Sequence, residues 1–306
     1  MPLTYDQISA ITEKKFLPTL YDNIFDSDPL LKRLKEKSYM KVDGGTKLIV
    51  PLNYSLTTAS GWFSGADTLS TVDNDVITAA EYDWKQLYAN ISITRRDELV
   101  NSGDAQIVNF VKSKTQIAEK TMMDKLGDGV YSAGSDANSI VGLRSLVDSA
   151  NSVGGIDQAT YSWWQSNEDS STTTLTMAAL QTMYNALSIN NDSPSVIMAT
   201  RANYNRYYAL LQPQQRFQDS ATAKGGFSSL MFNGVPFIAG SKVPSAHIFL
   251  LNEKYLHLAV HKDEDMRFQA FQPVVNQAVK TAKIFWFGAF ASSNCRMQGK
   301  FTGITA

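Results

Sequence analysis

Hydrophobic positions recur most regularly in the second quarter of the chain. Ile107, Phe110, Val111, Ile117, Ala118, Met122 and Leu126 fall at helical spacing. Ser102-Gly103-Asp104 offers an N-cap and Gly127 with Gly129 a stop, so the spacing predicts one helix over 104–126. At about 1.5 Å per residue it would run roughly 34 Å. Its polar face carries Lys112, Lys114, Glu119, Lys120, Asp124 and Lys125, while the Met122–Met123 pair reads as core filler. Near the N-terminus, Leu3, Tyr5, Ile8, Ile11 and Phe16 are loosely spaced for short helical pieces, interrupted by Pro18 and Pro29. Leu30, Leu31 and Leu34 then alternate with Lys32, Arg33, Lys35 and Lys37. That basic side reads as a solvated amphipathic face or as a contact with an acidic partner surface.

Strand patterns flank an unusual stretch. Lys47–Leu52 follows the Asp43-Gly44-Gly45 turn, and Tyr82–Thr94 supplies Tyr88, Ile91 and Ile93 as β-formers. Between them, Asn53–Asp83 is rich in Ser, Thr, Gly, Asp and Asn and has no Lys or Arg; its charges are Asp67, Asp73, Asp75, Glu81 and Asp83. A segment of this length without its own core is uncommon and usually functional. We read it as a two-stranded excursion, and because an isolated hairpin is marginal in water it needs a neighbour to lie on.

Residues 132–173 have little periodicity, and a domain boundary is placed near 171. Beyond it, Met177, Leu180, Met183, Tyr184 and Leu187 predict a helix, Ser195–Ala199 a strand, and Tyr204, Tyr207, Tyr208 and Leu211 a second helix capped by Thr200 and ended by Pro213. Asn233-Gly234 signals a type I′ hairpin. Ile248–Leu251, Tyr255–His261, Met266–Phe271 and Ala282–Phe290 complete the strands, giving an α+β chain.

Composition narrows the function. Of 306 residues, 43% are hydrophobic and 19% charged, enough apolar material for a sizeable core and against disorder. Lys and Arg number 28 against 29 Asp and Glu, so no excess of positive charge draws the chain to nucleic acid or anionic membrane. Cys295 is the single cysteine, which excludes an internal disulfide and a thiolate metal cluster. No basic or apolar leader opens the sequence at Met1, and the longest apolar run, Ile284–Ala291, is too short to span a bilayer, so a soluble protein in a reducing compartment is expected.

Neither phosphate-binding glycine motif nor a G-x-S-x-G elbow is present. Ser38-Tyr39-Met40-Lys41 matches S-x-x-K without its companion motifs. His257 and His261 alternate with Leu256, Leu258 and Val260, so they lie on a strand with their rings roughly 13 Å apart, too far for one ion. Arg95-Arg96 reads as a paired strand end. We assign no catalytic residue, no metal site and no cofactor.

Several blocks, in order, carry a family likeness. Thr78–Lys85 running into Ile91–Leu99, then Gly154-Gly155-Ile156-Asp157 with Tyr161-Ser162-Trp163-Trp164, then Phe232–Pro236, Leu250–Leu256, Phe285–Gly288 and Gln298-Gly299-Lys300 resemble the tailed-bacteriophage major capsid protein with the Hong Kong 97 fold. The resemblance implies an N-terminal arm over 1–47, an extended loop over 48–83, and a peripheral domain over 84–170, completed by the return strands 272–306 and containing the spine helix 104–126. It implies an axial domain over 171–271, packing around the symmetry axes of hexamers and pentamers.

By that resemblance the chain is expected to assemble with many copies of itself into an icosahedral shell around non-specifically held double-stranded DNA. It would be located in the virion, be assembled in the host bacterial cytoplasm, and have no membrane partner. With no fused scaffolding segment ahead of the arm, a separate scaffolding protein is expected, with a portal and a decoration protein as further partners. The expected intersubunit contacts join the loop residues Trp62, Phe63, Asp67, Asp73 and Asp75 to Lys32, Arg33, Lys35, Lys112 and Lys114. The best-known member of that family links a loop lysine to a neighbour's asparagine; from Leu48 to Trp84 this sequence has no lysine. Two alternatives remain: an encapsulin-like nanocompartment shell around protein cargo, and a hydrolase or carbohydrate-binding domain using Trp62, Trp163 and Trp164 as platforms.

Overall fold

The computed structural model describes residues 28–72, 74–100, 110–211 and 230–305, with the backbone alone at Phe110 and Val111. The helical pieces expected before Pro18, the Ser102 cap, Ile107, Asp73 and the stop at Pro213 lie outside the described residues. In chain order the elements begin with α1 (Pro29–Lys37), β1 (Tyr39–Val42), β2 (Leu48–Asn53), β3 (Ile77–Tyr82), β4 (Lys85–Thr94), α2 (Arg95–Val100) and α3 (Phe110–Val130). Next come α4 (Leu143–Leu146), β5 (Ser152–Val153), β6 (Ile156–Asp157), β7 (Asn167–Asp169), α5 (Met177–Leu187), β8 (Val196–Ala199) and α6 (Arg201–Leu211). The last are β9 (Met231–Phe232), β10 (Val235–Ala239), β11 (Ile248–Leu251), β12 (Leu256–His261), β13 (Arg267–Pro273), β14 (Val279–Ser292) and β15 (Gly299–Phe301). The described residues fall into two compact units, a larger one of 28–72, 74–87, 123–211, 230–267 and 286–305 and a smaller one of 88–100, 110–122 and 268–285.

The larger unit is centred on a six-stranded sheet of order β7-β15-β11-β8-β10-β9. Its middle strands β8 and β11 are buried at every position, matching their unbroken apolar sequences. Helices α5 and α6 cover the sheet through Leu180, Met183, Leu187 and Tyr207, which join Ile197, Phe237 and Phe301 in one apolar cluster. Tyr207 stacks on Phe237 with ring centroids 4.4 Å apart. The Asn-Gly turn between β9 and β10 forms as expected, with positive φ at Asn233 (49°) and Gly234 (79°).

Residues 28–42, in the stretch expected as arm up to residue 47, are packed into the larger unit. Asp28 caps α1 by accepting the N–H groups of Leu30 and Leu31. Leu30, Leu31 and Leu34 are fully buried, and β1 pairs in parallel with β12. Helix α3 ends at Val130 rather than at residue 126. The glycines read as a stop are positions of close approach: a Cβ at Gly127 would lie 2.9 Å from Lys242 Cδ, and one at Gly129 2.9 Å from Ile140 Cγ1.

Arg95 and Arg96 open a helix instead of ending a strand, because Thr94 Oγ1 accepts the Asp97 N–H and Arg95 pairs with Glu98 at 3.0 Å. Tyr255 belongs to a 3-10 turn, Glu253–Tyr255, capped by Asn252, and the strand begins at Leu256. In the smaller unit, Lys280 also pairs with Glu98 at 2.8 Å and Arg95 N–H donates to the Ala278 carbonyl. Among the described residues no helix is long and apolar enough to cross a membrane, and no group of His, Cys, Asp and Glu could hold a metal ion.

Candidate assembly surface

Strands β2 and β3 pair antiparallel from Leu48↔Tyr82 to Asn53↔Ile77, so the excursion read from the sequence is a hairpin. One of its faces is committed to the larger unit. Leu52, Ala80 and Tyr82 are buried there, whereas Ile49 and Ile77 on the opposite face stand in water. Apolar residues on both faces of a two-stranded sheet are what a segment covered on both sides requires.

The paired strands are held at three points. Tyr82 donates its hydroxyl proton to the Ser292 carbonyl at 2.7 Å and accepts the Ser292 N–H at 3.2 Å. Glu81 N–H donates to the Gly154 carbonyl at 2.9 Å. Gly154 sits at φ 63°, and a Cβ there would come within 2.6 Å of the Ala80 Cβ, so the β5–β6 turn reaches this contact only as glycine. At the far end of β2, Tyr54 stacks on Trp163 at 5.3 Å and donates its hydroxyl to the Asp75 carbonyl at 2.7 Å across the hairpin.

Beyond Tyr54 the described residues are held by hydrogen bonds within the loop itself, across it and in local turns. Asn74 Oδ1 accepts the Thr58 N–H, and Asp67 Oδ2 accepts the Ser64 N–H at 2.8 Å around Gly65. Leu56, Trp62, Phe63, Leu69 and Val72 are all exposed there, Trp62 completely.

The expected contact residues divide by their surroundings. Trp62, Phe63, Asp67 and Asp75 share the tip, and Lys32 is exposed on α1. Arg33 is engaged inside the chain: with Lys37 it clasps the buried Glu253 carboxylate, Arg33 in bidentate fashion at 2.6 and 2.8 Å and Lys37 at 2.9 Å. Burial raises the Glu253 pKa, but hydrogen bonds from Arg33, Lys37 and Ser195 outweigh it and hold the carboxylate below its ordinary value. Lys35 is half-buried with Nζ 3.1 Å from Met123 Sδ, and burial lowers its pKa against the pull of Asp265. Lys114 donates to the Ser92 carbonyl in the smaller unit, where Lys112 is exposed. Of the loop acids, Glu81 pairs with Lys47 at 2.9 Å within the chain.

The sequence reading did not single out Tyr82, Gly154 or the Tyr54–Trp163 stack as parts of one clamp. Their signal was present as the Gly154-Gly155 turn and the aromatic cluster beside it. His257 and His261 lie on β12 as expected, and His257 Nε2 meets Ser293 Oγ at 3.0 Å.

With a paired excursion, a long helix and a six-stranded sheet in place, the chain can be set beside solved structures. It superposes along 99% of its length on all of a chain from the cyanophage A-1(L) capsid asymmetric unit, at TM-score 0.74 and 16% identity. The chain has the Hong Kong 97 capsid fold. A chain from the capsid of a native GTA particle matches at TM-score 0.69 and 13% identity, over 97% of this chain and 96% of that one. A chain of the holo-SrpI encapsulin complex from Synechococcus elongatus matches at TM-score 0.64 and 12% identity, over 99% and 96%. No family model matches the sequence, and no curated protein gives a significant match. Backbone course in this capsid fold is therefore kept where sequence identity is nearly gone.

Proposed function

We propose that this chain is the major capsid protein of a tailed bacteriophage, many copies of which close into an icosahedral shell around double-stranded DNA. The observation that carries the reading is the hairpin. Ile49, Leu56, Trp62, Phe63, Leu69, Val72 and Ile77 each expose more than half of their surface. At roughly 100 Å² or more apiece they amount to on the order of 700 Å², close to one partner's share of a standard interface, ~800 Å². Scattered exposed apolar residues are ordinary, but this many on one segment mark an interaction surface. The fold supports the same reading, because the solved chains it matches come from a cyanophage capsid and a GTA particle capsid.

In this account the copies form hexamers and pentamers, and the arm and axial and peripheral domains take the places that the resemblance gives them. The tip acids Asp67, Asp73 and Asp75 face basic residues of a neighbour, with Lys32 and Lys112 as candidates. Scaffolding, portal and decoration proteins are the further partners, in a virion assembled in the bacterial cytoplasm. The near-neutral charge suits a wall that confines DNA without binding it tightly. An encapsulin-type shell is the second reading, favoured by the match to the holo-SrpI complex. The hydrolase or carbohydrate-binding reading keeps less of its platform: Trp164 is buried with Nε1 donating to the Val153 carbonyl and Tyr54 covers a face of Trp163, which leaves Trp62 as the fully exposed one. The test is the content of particles from infected cells. Encapsidated DNA supports the phage reading, and particles holding an enzyme and no DNA overturn it in favour of the encapsulin type.

A further inference from the structure

A pocket of about 320 Å³ opens beside the far end of β2, where the exposed tip begins, and its lining includes Tyr54, Trp163, Trp164, Tyr255, Ser293 and Asn294. We propose that this pocket receives Trp62 of a second copy of the chain, a step that deepens the shell reading and rests on it. The pocket chemistry suits an indole. Tyr54, Trp163, Trp164 and Tyr255 supply its aromatic lining, with the Tyr54–Trp163 stack among them, beside the polar Asn53, Ser293 and Asn294. Asn294 Oδ1 accepts one N–H, from Arg296, and keeps a second lone pair for an incoming donor. A buried tryptophan needs such a partner for its ring N–H.

Trp62 suits the pocket in turn. It is fully exposed, so it does not fill the pocket of its own chain. Gly61 and Gly65 beside it have nothing within 4 Å of where a Cβ would stand, which leaves the tip slim enough to enter a concave site. Charge is complementary as well. The loop carries acids and no base. The pocket lining itself carries no charge, and the exposed Arg296, whose N–H is bound by Asn294, stands beside it.

The placement also explains ring closure. Tip and pocket are separate features of the same hairpin, so each copy offers one of each. The contact between copies is then head-to-tail, the type that closes into rings when its rotation permits. Trp62 lies nine residues beyond Asn53, which caps its reach from the far end of β2 at about 30 Å of extended chain.

The experiment is a side-chain-resolution electron cryomicroscopy map of particles assembled from the full chain, read together with Trp62→Ala and Trp62→Phe. The expected map places the Trp62 indole within about 4.5 Å of Trp163 or Tyr255 of the adjacent copy. Trp62→Ala should raise the concentration needed for assembly tenfold or more, and Trp62→Phe by only a few-fold. Particles whose pockets are empty, or whose Trp62 rests elsewhere, overturn the docking while leaving the shell reading intact. If no particles form, the shell reading and the docking fall together. Trp163→Ala also loosens the hairpin, so the map decides and not that variant.

Discussion

Tyr82 and Ser292 are joined twice, the tyrosine hydroxyl giving its proton to the serine carbonyl at 2.7 Å and taking the serine N–H at 3.2 Å. The pair ties the last residue of β3 to the last residue of β14, positions far apart in the sequence. Tyr82 is buried, so water cannot replace either bond. Tyr82→Phe should lower stability by about 1–3 kcal/mol through the unpaired backbone groups it leaves. Urea unfolding checks this, and a change under 0.5 kcal/mol, on the order of an ordinary surface substitution, would show that the pair is dispensable.

Gly154 gives a second test of the root. Alanine there would have to hold a left-handed φ and press its Cβ to 2.6 Å from that of Ala80. Gly154→Ala should cost about 1–3 kcal/mol, whereas Gly155→Ala, with nothing within 4 Å of its Cβ position, should suffer only the cost of its φ of 79°. Thermal melts of the two variants side by side measure the difference.

Glu253 makes stability depend on pH in a defined direction. Its carboxylate is held below the ordinary value of 4.5, so it stabilises the fold above that pH and loses the contribution as pH falls through the lower folded value. Glu253→Gln should cost about 1–3 kcal/mol at pH 7, a range set by hydrogen bonds to charged groups and moderated by the exposure of Lys37. The gap to the unsubstituted protein should narrow from pH 5 toward pH 3. A gap that stays constant over that range would assign the cost to shape, not charge.

Mature particles should run as a single band near 33.8 kDa on a reducing denaturing gel. No lysine lies between Leu48 and Trp84, and the two that flank the loop are engaged at its roots, Lys47 with Glu81 and Lys85 with the Ala137 carbonyl. Cys295 is fully buried and burial pushes its thiol up to about 12, so it offers neither thiolate nor access. A ladder of multimers would contradict this reading.

The elements with strong periodicity were legible in the sequence, among them α3, α5, the Asn233-Gly234 hairpin and the paired strands around the loop. What escaped depends on distant neighbours. Gly127 and Gly129 look like a helix stop until Lys242 and Ile140 are seen against them. Arg33 looks like a solvated charge until Glu253, remote in sequence, meets it. The exposed tip with Trp62 was readable because its composition cannot support a fold. The clamp of Tyr82, Gly154 and Trp163 was not, because nothing local pairs those residues.

The central claim is that copies of this chain close a shell through the hairpin. Its most direct test replaces residues 55–75 by a short Gly/Ser linker, keeping the buried root at Leu52, Ala80 and Tyr82. Electron microscopy then compares the two purified proteins. We expect closed particles from the full chain and, from the variant, a folded protein with an unchanged melting temperature that forms no closed shells. Normal closed particles from the variant would contradict the account.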